Sequence, residues 1–255
     1  MVPASRPRLV VNADDFGLSA GVNRGVVEAH EGGVVTSASL MVRYPAAAEA
    51  AAYAKMSPRL SLGLHLDLFE WEFRDGEWRS RYQVVPVDDV EAVRREIQGQ
   101  LHQFRELVGS EPTHLDSHQH AHREEPVKSV VLRVARELGV PVRDFVDGIR
   151  YVGDFYGQSD DGEPWPELIT SASLERLIRS LPPGITEVGC HPGFDDGLAS
   201  SYRAERALEV ETLCSPRLKA AISEMGIDLI SFADSSITAL SGMNAGSRRV
   251  SAEAQ

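Results

Sequence analysis

Four of the eight histidines of this 255-residue chain fall within ten residues, in the run Thr113-His114-Leu115-Asp116-Ser117-His118-Gln119-His120-Ala121-His122. Imidazoles and carboxylates gathered in this way are the ligand set of Zn²⁺ or a similar divalent ion. If the run begins as a strand, His114, Asp116, His118, His120 and His122 share one face, because β side chains alternate. Residues two apart on a strand are separated by about 6.5 Å, so a single ion can draw only on neighbours near one end of the run. Further ligands must come from other parts of the chain. The competing reading of this segment, a solvated polar turn, is tested by where those other parts place their polar residues.

The surrounding pattern alternates strands and helices. Arg8 to Asn12 is an apolar run of the kind that forms a strand buried on both faces, and it leads straight into Asp14 and Asp15. Ser19 suits a helix N-cap, Val22, Val26 and Ala29 follow at helical spacing, and Gly32-Gly33 ends the helix. A strand over 34–42, an alanine-rich helix over 46–56 and a strand over 60–66 come next, the last placing His65 near its carboxyl end. Residues 69–87, with Trp71, Trp78 and Tyr82 among charged residues, are expected as an irregular loop covering a site. An amphipathic helix from 88 to about 107 is closed by Gly109 and Pro112, and the histidine run is the strand after it. Val127 to Leu138 forms a helix stopped by Gly139, and Pro141 to Tyr151 a weaker strand. A second long loop, 154–166, carries Phe155, Tyr156 and Trp165. After a helix marked by Leu174 to Leu181, Ile185 to His191 reads as a strand ending in His191-Pro192-Gly193. Two more helical patterns and a strand over 227–232 complete a domain expected to span 1–240, with a frayed tail over 241–255.

Such alternation implies a parallel α/β sheet with helical crossovers, and the expected fold is a single (β/α) barrel of about seven parallel strands. An open doubly wound sheet is the alternative. In either, the strand carboxyl ends share one edge, and Asp14, Asp15, His65, His118 and His191 all fall at such ends. Singly, each has an ordinary explanation: an aspartate can cap the next helix, His65 can be a satisfied core residue, and His191 can belong to a turn. Together they define a site. His30 and His102 lie within helix patterns and read as surface residues.

Composition narrows the chemistry. A formal charge of −12 argues against a nucleic acid or an anionic membrane as partner and favours a neutral or cationic substrate. The two cysteines, Cys190 and Cys214, have no CxxC spacing, which speaks against redox chemistry or a thiolate metal site. Met1 to Arg8 contains no apolar core of a signal peptide and no run reaches membrane-span length, so a cytoplasmic location is expected.

Asn12-Ala-Asp-Asp-Phe-Gly17, Gly63-Leu-His-Leu66, Pro112-Thr-His-Leu-Asp-Ser-His118 and His191-Pro-Gly193 resemble, in order and approximate spacing, the YdjC-like carbohydrate deacetylases, which include chitooligosaccharide deacetylases. The resemblance extends from about residue 8 to 235. It implies a glycoside hydrolase/deacetylase type of (β/α) barrel, one divalent metal ion such as magnesium or zinc, and hydrolysis of the N-acetyl group of an amino sugar. By similarity the metal ligands fall on Asp15, His65 and His118, and Asp14 is the general base. Relatives commonly have another histidine where this chain has Gln119.

The residues themselves allow the same chemistry. Amide hydrolysis needs a nucleophilic water, a polarised carbonyl and a proton for the leaving amine. One carboxylate and two imidazoles can hold an ion with positions left open, while the other aspartate takes the water's proton. His191, if protonated, would donate to the departing amine or stabilise the oxyanion, and Asp116 or Asp195 could orient an imidazole. Trp71, Trp78, Tyr156 and Trp165 are candidate platforms for sugar rings. The expected partner is a small N-acetylated carbohydrate; a homodimer is left open. Three other readings compete: a metal-dependent amidohydrolase or phosphoesterase using His118-Gln119-His120 as an HxH pair, a metal-free glycosidase with two carboxylates, and a catalytically silent sugar-binding barrel.

Overall fold

The computed structural model describes residues 6–246. Seven strands, β1 (Arg8–Phe16), β2 (Ser37–Leu40), β3 (Ser61–Leu66), β6 (Leu115–Ser117), β7 (Ile149–Val152), β8 (Ile185–Cys190) and β9 (Asp228–Leu229), form one parallel sheet. The order is β6-β3-β2-β1-β8-β7, with β9 beside the first residues of β1. Strand β1 is buried along nearly its whole length, as expected of a central parallel strand covered on both faces. Helices α1 (Ala20–Glu31), α2 (Ala47–Met56), α3 (Val90–Val108), α4 (Val127–Leu138), α5 (Ser171–Arg179), α6 (Ala204–Leu213), α7 (Pro216–Glu224) and α8 (Ser235–Gly246) make up the crossovers and the carboxyl end. Their ends follow local chemistry: Ser19 caps α1 by accepting from Val22 N, Asp89 caps α3, and left-handed Gly109 and Gly139 close α3 and α4.

The sheet curls into a half-barrel, in keeping with the barrel-like fold expected, and no ladder closes it among the described residues. Its edge strands β6 and β7 are joined across the gap only by the segment 141–148, whose Val142 makes a single bridge to Leu115. The reason lies in that segment's composition. Pro141 offers no N–H, Asp144 (φ 68°) and Gly148 (φ 92°) turn the backbone, and Arg143 is turned inward under the site, so no regular ladder can form.

Other elements depart from expectation. Residues 69–87 are not an irregular loop: Phe69–Arg74 (β4) and Glu77–Gln83 (β5) pair as an antiparallel hairpin outside the main sheet. Its turn, Asp75-Gly76, has both residues at positive φ, the conformation that suits a tight two-residue hairpin. The weak strand placed over 141–151 is β7, formed only at its end, and the last strand shrinks to two residues. Helix α8 runs through residue 246, past the start of the expected tail, and 247–255 lie outside the described residues.

Candidate active site

Strand β1 runs into a left-handed Asp15 (φ 63°) and Gly17 (φ 94°), and this turn breaks the alternation that would send two adjacent aspartates to opposite faces. A β-carbon at Gly17 would come within 2.9 Å of Leu40 and 3.0 Å of the Met41 carbonyl, so the turn is open to glycine alone. Asp14, Asp15, His65, His118 and His191 all line a single cleft of about 690 Å³ at the carboxyl edge of the sheet.

Asp15 Oδ1 stands 3.3 Å from His65 Nε2 and 3.2 Å from His118 Nδ1, while its Oδ2 accepts from Arg206 Nη2 at 2.6 Å. Burial opposes its charge, but Arg206 and the two imidazoles hold its carboxyl well below the usual range. His65 Nδ1 is 2.9 Å from Asp116 Oδ1, which fixes the ring and turns Nε2 toward Asp15. Burial would lower its pKa, yet the charge and hydrogen bond of Asp116, with Asp15 behind them, raise it to about 10. The ring thus sits between two carboxylates, and a proton on Nε2 would face Asp15 at the position a divalent cation can take. Spacings of 3.2–3.3 Å are also about those of neighbouring ligands around one ion at roughly 2.1 Å. The donor set therefore fits a metal: ligand atoms of Asp15, His65 and His118 all lie within 4.8 Å of one another. Asp14, His65 and Asp116 form a second such group, but there the Arg143 guanidinium already supplies the cation.

Asp14 is held differently. Arg143 grips it with Nη1–Oδ2 at 2.6 Å and Nη2–Oδ1 at 2.7 Å, and Asn12 donates to Oδ1 at 2.8 Å. Burial would raise its pKa; the charge and hydrogen bonds of Arg143 bring it far below the ordinary carboxylate value. Arg143 also pairs with Asp116 (2.9 Å) and Glu187 (2.7 Å) and lies over the Tyr151 ring. One guanidinium thus serves three buried carboxylates, and burial pushes Glu187 up to about 7. His191 Nε2 is 3.8 Å from Asp14 Oδ2, with Tyr156 and Tyr202 packed on its ring. Burial lowers its pKa to about 4 against the pull of Asp14 and Asp15, so near neutral pH it meets substrate uncharged. Its backbone N–H donates to Glu209, which also accepts from the Tyr202 hydroxyl.

The histidine run divides as soon as its strand ends. Only Leu115–Ser117 is extended; His118–Arg123 is a 3₁₀ turn with Gln119 and His120 at positive φ. His114 stacks on Phe232 at 3.9 Å, below the site, and its ring occupies the space a β-carbon at Gly63 would need. His122 bonds Ser117, and His120 packs on Tyr151, so the HxH pair does not converge on one ion. Asp116 orients an imidazole as expected, whereas Asp195 is half exposed and bonds Gly197 N. Trp71, Trp78 and Tyr156 line the cleft, and Trp165 does not. His30 bonds the Val35 carbonyl and His102 pairs with Glu106 on the surface of α3. Arg143, Arg206, Glu187 and Glu209 escape sequence reasoning; the available signals are a lone arginine in Val140-Pro-Val-Arg143 and a glutamate inside the apolar run 185–190.

A curled parallel α/β sheet with a carboxylate–imidazole cluster at its carboxyl edge is an arrangement on which metal-assisted hydrolysis can be built. The family model described as YdjC-like protein matches residues 8–224. A chitooligosaccharide deacetylase from Serratia marcescens is 35% identical, covering 89% of this chain and 98% of its own. A carbohydrate deacetylase from Geobacillus stearothermophilus is 36% identical, covering 88% and 96%. Among solved structures, an Enterococcus faecalis protein provisionally assigned to cellobiose-phosphate cleavage superposes with a TM-score of 0.72 at 27% identity, over 89% of this chain and 98% of that one. The chain belongs to the YdjC-like family.

Proposed function

We propose that this protein is a metal-dependent carbohydrate deacetylase that hydrolyses the N-acetyl amide of an amino sugar or its oligosaccharide and releases acetate. The observation that carries this reading is the meeting of Asp15, His65 and His118 beside the Arg143-bound Asp14 and His191, all at the mouth of one cleft. The two named relatives above support the substrate class.

Asp15, His65 and His118 would hold the divalent ion, which when bound polarises an acetyl carbonyl and acidifies water. Asp14 accepts the proton of the attacking water. Arg143 keeps it ionised and fixes its orientation, so its basicity is modest but it needs no reorganisation. The proton that Asp14 takes must end on the leaving nitrogen when the C–N bond breaks. His191, uncharged at the outset and 3.8 Å away, is placed to carry it there. Tyr156 and Tyr202 pack on the His191 ring and hold it in place. In the cleft, the charged residues are Asp14, Asp15, Glu70, Glu72, Asp160 and Arg206, and Arg206 is committed to Asp15. That lining suits a neutral or cationic sugar better than a phosphorylated one.

The test is acetate release from a panel of N-acetylated mono- and oligosaccharides, with chelated protein beside protein reloaded with zinc or magnesium. Activity should vanish on chelation and return with the ion; full activity of the metal-free protein would overturn the reading. Among the described residues, no helix is long and apolar enough to cross a membrane.

A further inference from the structure

The β4–β5 hairpin forms one wall of the cleft, contributing Phe69, Glu70, Trp71, Glu72, Phe73 and Trp78. It joins no strand of the main sheet, and an isolated two-stranded ribbon is marginal in water. Something must hold it in place. At its base, Val84 N donates to the Leu68 carbonyl and Tyr82 donates to Asp67 at 2.7 Å, but these anchors hold the start of β4 and not Trp71. Strand β4 has its own anchor in Gln119. The Gln119 amide accepts from Trp71 N at 2.8 Å and donates to Trp71 O at 2.7 Å, so one side chain satisfies both backbone groups of Trp71 as a neighbouring strand would. The chain invests backbone strain in this contact, for Gln119 lies at φ 48° between His118 and His120. No shorter side chain spans the distance with both groups.

We propose that Gln119 is a specificity-determining, positioning residue. By clamping Trp71 it turns the hairpin into a fixed wall for a sugar ring beyond the one deacetylated, so this clamp sets how strongly oligosaccharides of two or more rings bind relative to a single N-acetylated sugar. The proposal rests on the deacetylase reading for the identity of the ligand, but the clamp itself rests on the two hydrogen bonds alone. Gln119 is exposed, so its replacement leaves the core intact.

The experiment compares the parent protein with Gln119→Ala and Gln119→Asn. Asparagine retains the amide and tolerates left-handed backbone, but it is one methylene too short. Binding of N-acetylglucosamine and of its trimer is followed by tryptophan fluorescence, acetate release is measured on both, and amide hydrogen exchange is read over 69–83. Both variants should lose about tenfold in affinity for the trimer and at most about twofold for the monomer. On acetate release, the kcat/KM ratio of trimer to monomer should fall correspondingly, through KM. Exchange at Trp71 should quicken at least tenfold while metal content stays at the parent level. Equal losses on monomer and trimer, or an unchanged trimer affinity, would overturn the proposal. If the parent binds the trimer but releases no acetate, the deacetylase reading fails while the binding and exchange comparisons still decide the role of Gln119.

Discussion

At the floor of the cleft, Asp14, His65, Asp116 and Glu187 come from four strands of the sheet and Arg143 from the segment 141–148; each is 3% exposed or less, and each is bonded to another of the group. Along the wall above them, Trp71 and Trp78 are 40% and 53% exposed and are carried on a ribbon outside that sheet. The floor is built for chemistry, where a misplacement of about 1 Å costs orders of magnitude and pre-set dipoles are worth most. The wall is built for contact, where apolar rings give affinity without such exact placement. Sequence change should therefore break turnover at the floor and grade affinity at the wall.

The largest effects are expected from the adjacent aspartates. Asp14→Asn should retain the metal and lose ~10²-fold or more in kcat, whereas Asp15→Asn should lose metal at limiting concentration and activity with it. Elemental analysis beside acetate release separates them; metal loss in the Asp14 variant and retention in the Asp15 variant would reverse the two roles.

Next in size is the stability of the floor. Arg143→Ala strands Asp14, Asp116 and Glu187 without their cation and should cost about 3–5 kcal/mol in urea unfolding near neutral pH. The pH dependence has a definite sign. Glu187, raised to about 7, and Glu209, raised to about 8, bind protons in the folded chain that the unfolded chain releases near 4.5. Their contribution is full below that value and is lost as pH rises through 7 and 8, opposite in sign to that of the buried histidines His114, His120, His122 and His191, so it is read in chelated protein as the difference in urea midpoint between the parent and Glu187→Gln or Glu209→Gln, which should change across this window. Glu187→Gln should flatten its lower half. Asp14 and Asp116 work the other way: held low, they stabilise above their ordinary value of 3.8 and cease to do so only on acidification. The same pH dependence in the parent and in Glu187→Gln would refute the assignment.

Smallest should be the wall. Trp71→Ala and Trp78→Ala are expected to raise KM for an oligosaccharide by roughly three- to tenfold with kcat little altered, as fits uniform binding. A drop in kcat equal to that of Asp14→Asn would erase the distinction between wall and floor.

The same contrast explains what could be read from the sequence. Buried parallel strands announce themselves as apolar runs, so the catalytic candidates were legible as polar residues at the ends of such runs. The partners that hold them were not. Arg143 and Arg206 are single arginines in unremarkable surroundings, and only the fold brings them against Asp14 and Asp15. The hairpin did carry a signal, Asp75-Gly76 between alternating aromatic and charged residues, but with both faces partly wet it had no apolar run to mark it as strand. The histidine run misled in the other direction: a period of two was extended past Ser117, where the backbone leaves the strand.

Strand β1 has on one side β8, and beside its first residues β9, both drawn from the far end of the chain; the bond from Cys190 to the Asn12 carbonyl alone spans 178 positions. On a ribosome, the strand bearing Asp14 and Asp15 therefore finds β2 early but waits for residues 185–190 and 228–229 before its remaining neighbours exist. The pairings with β8 and β9 are long loop closures, and a half-made chain presents a long apolar strand with one edge unpaired. The candidate site, which needs His191 and Arg206 beside Asp14 and Asp15, is in this sense finished late by the nascent chain.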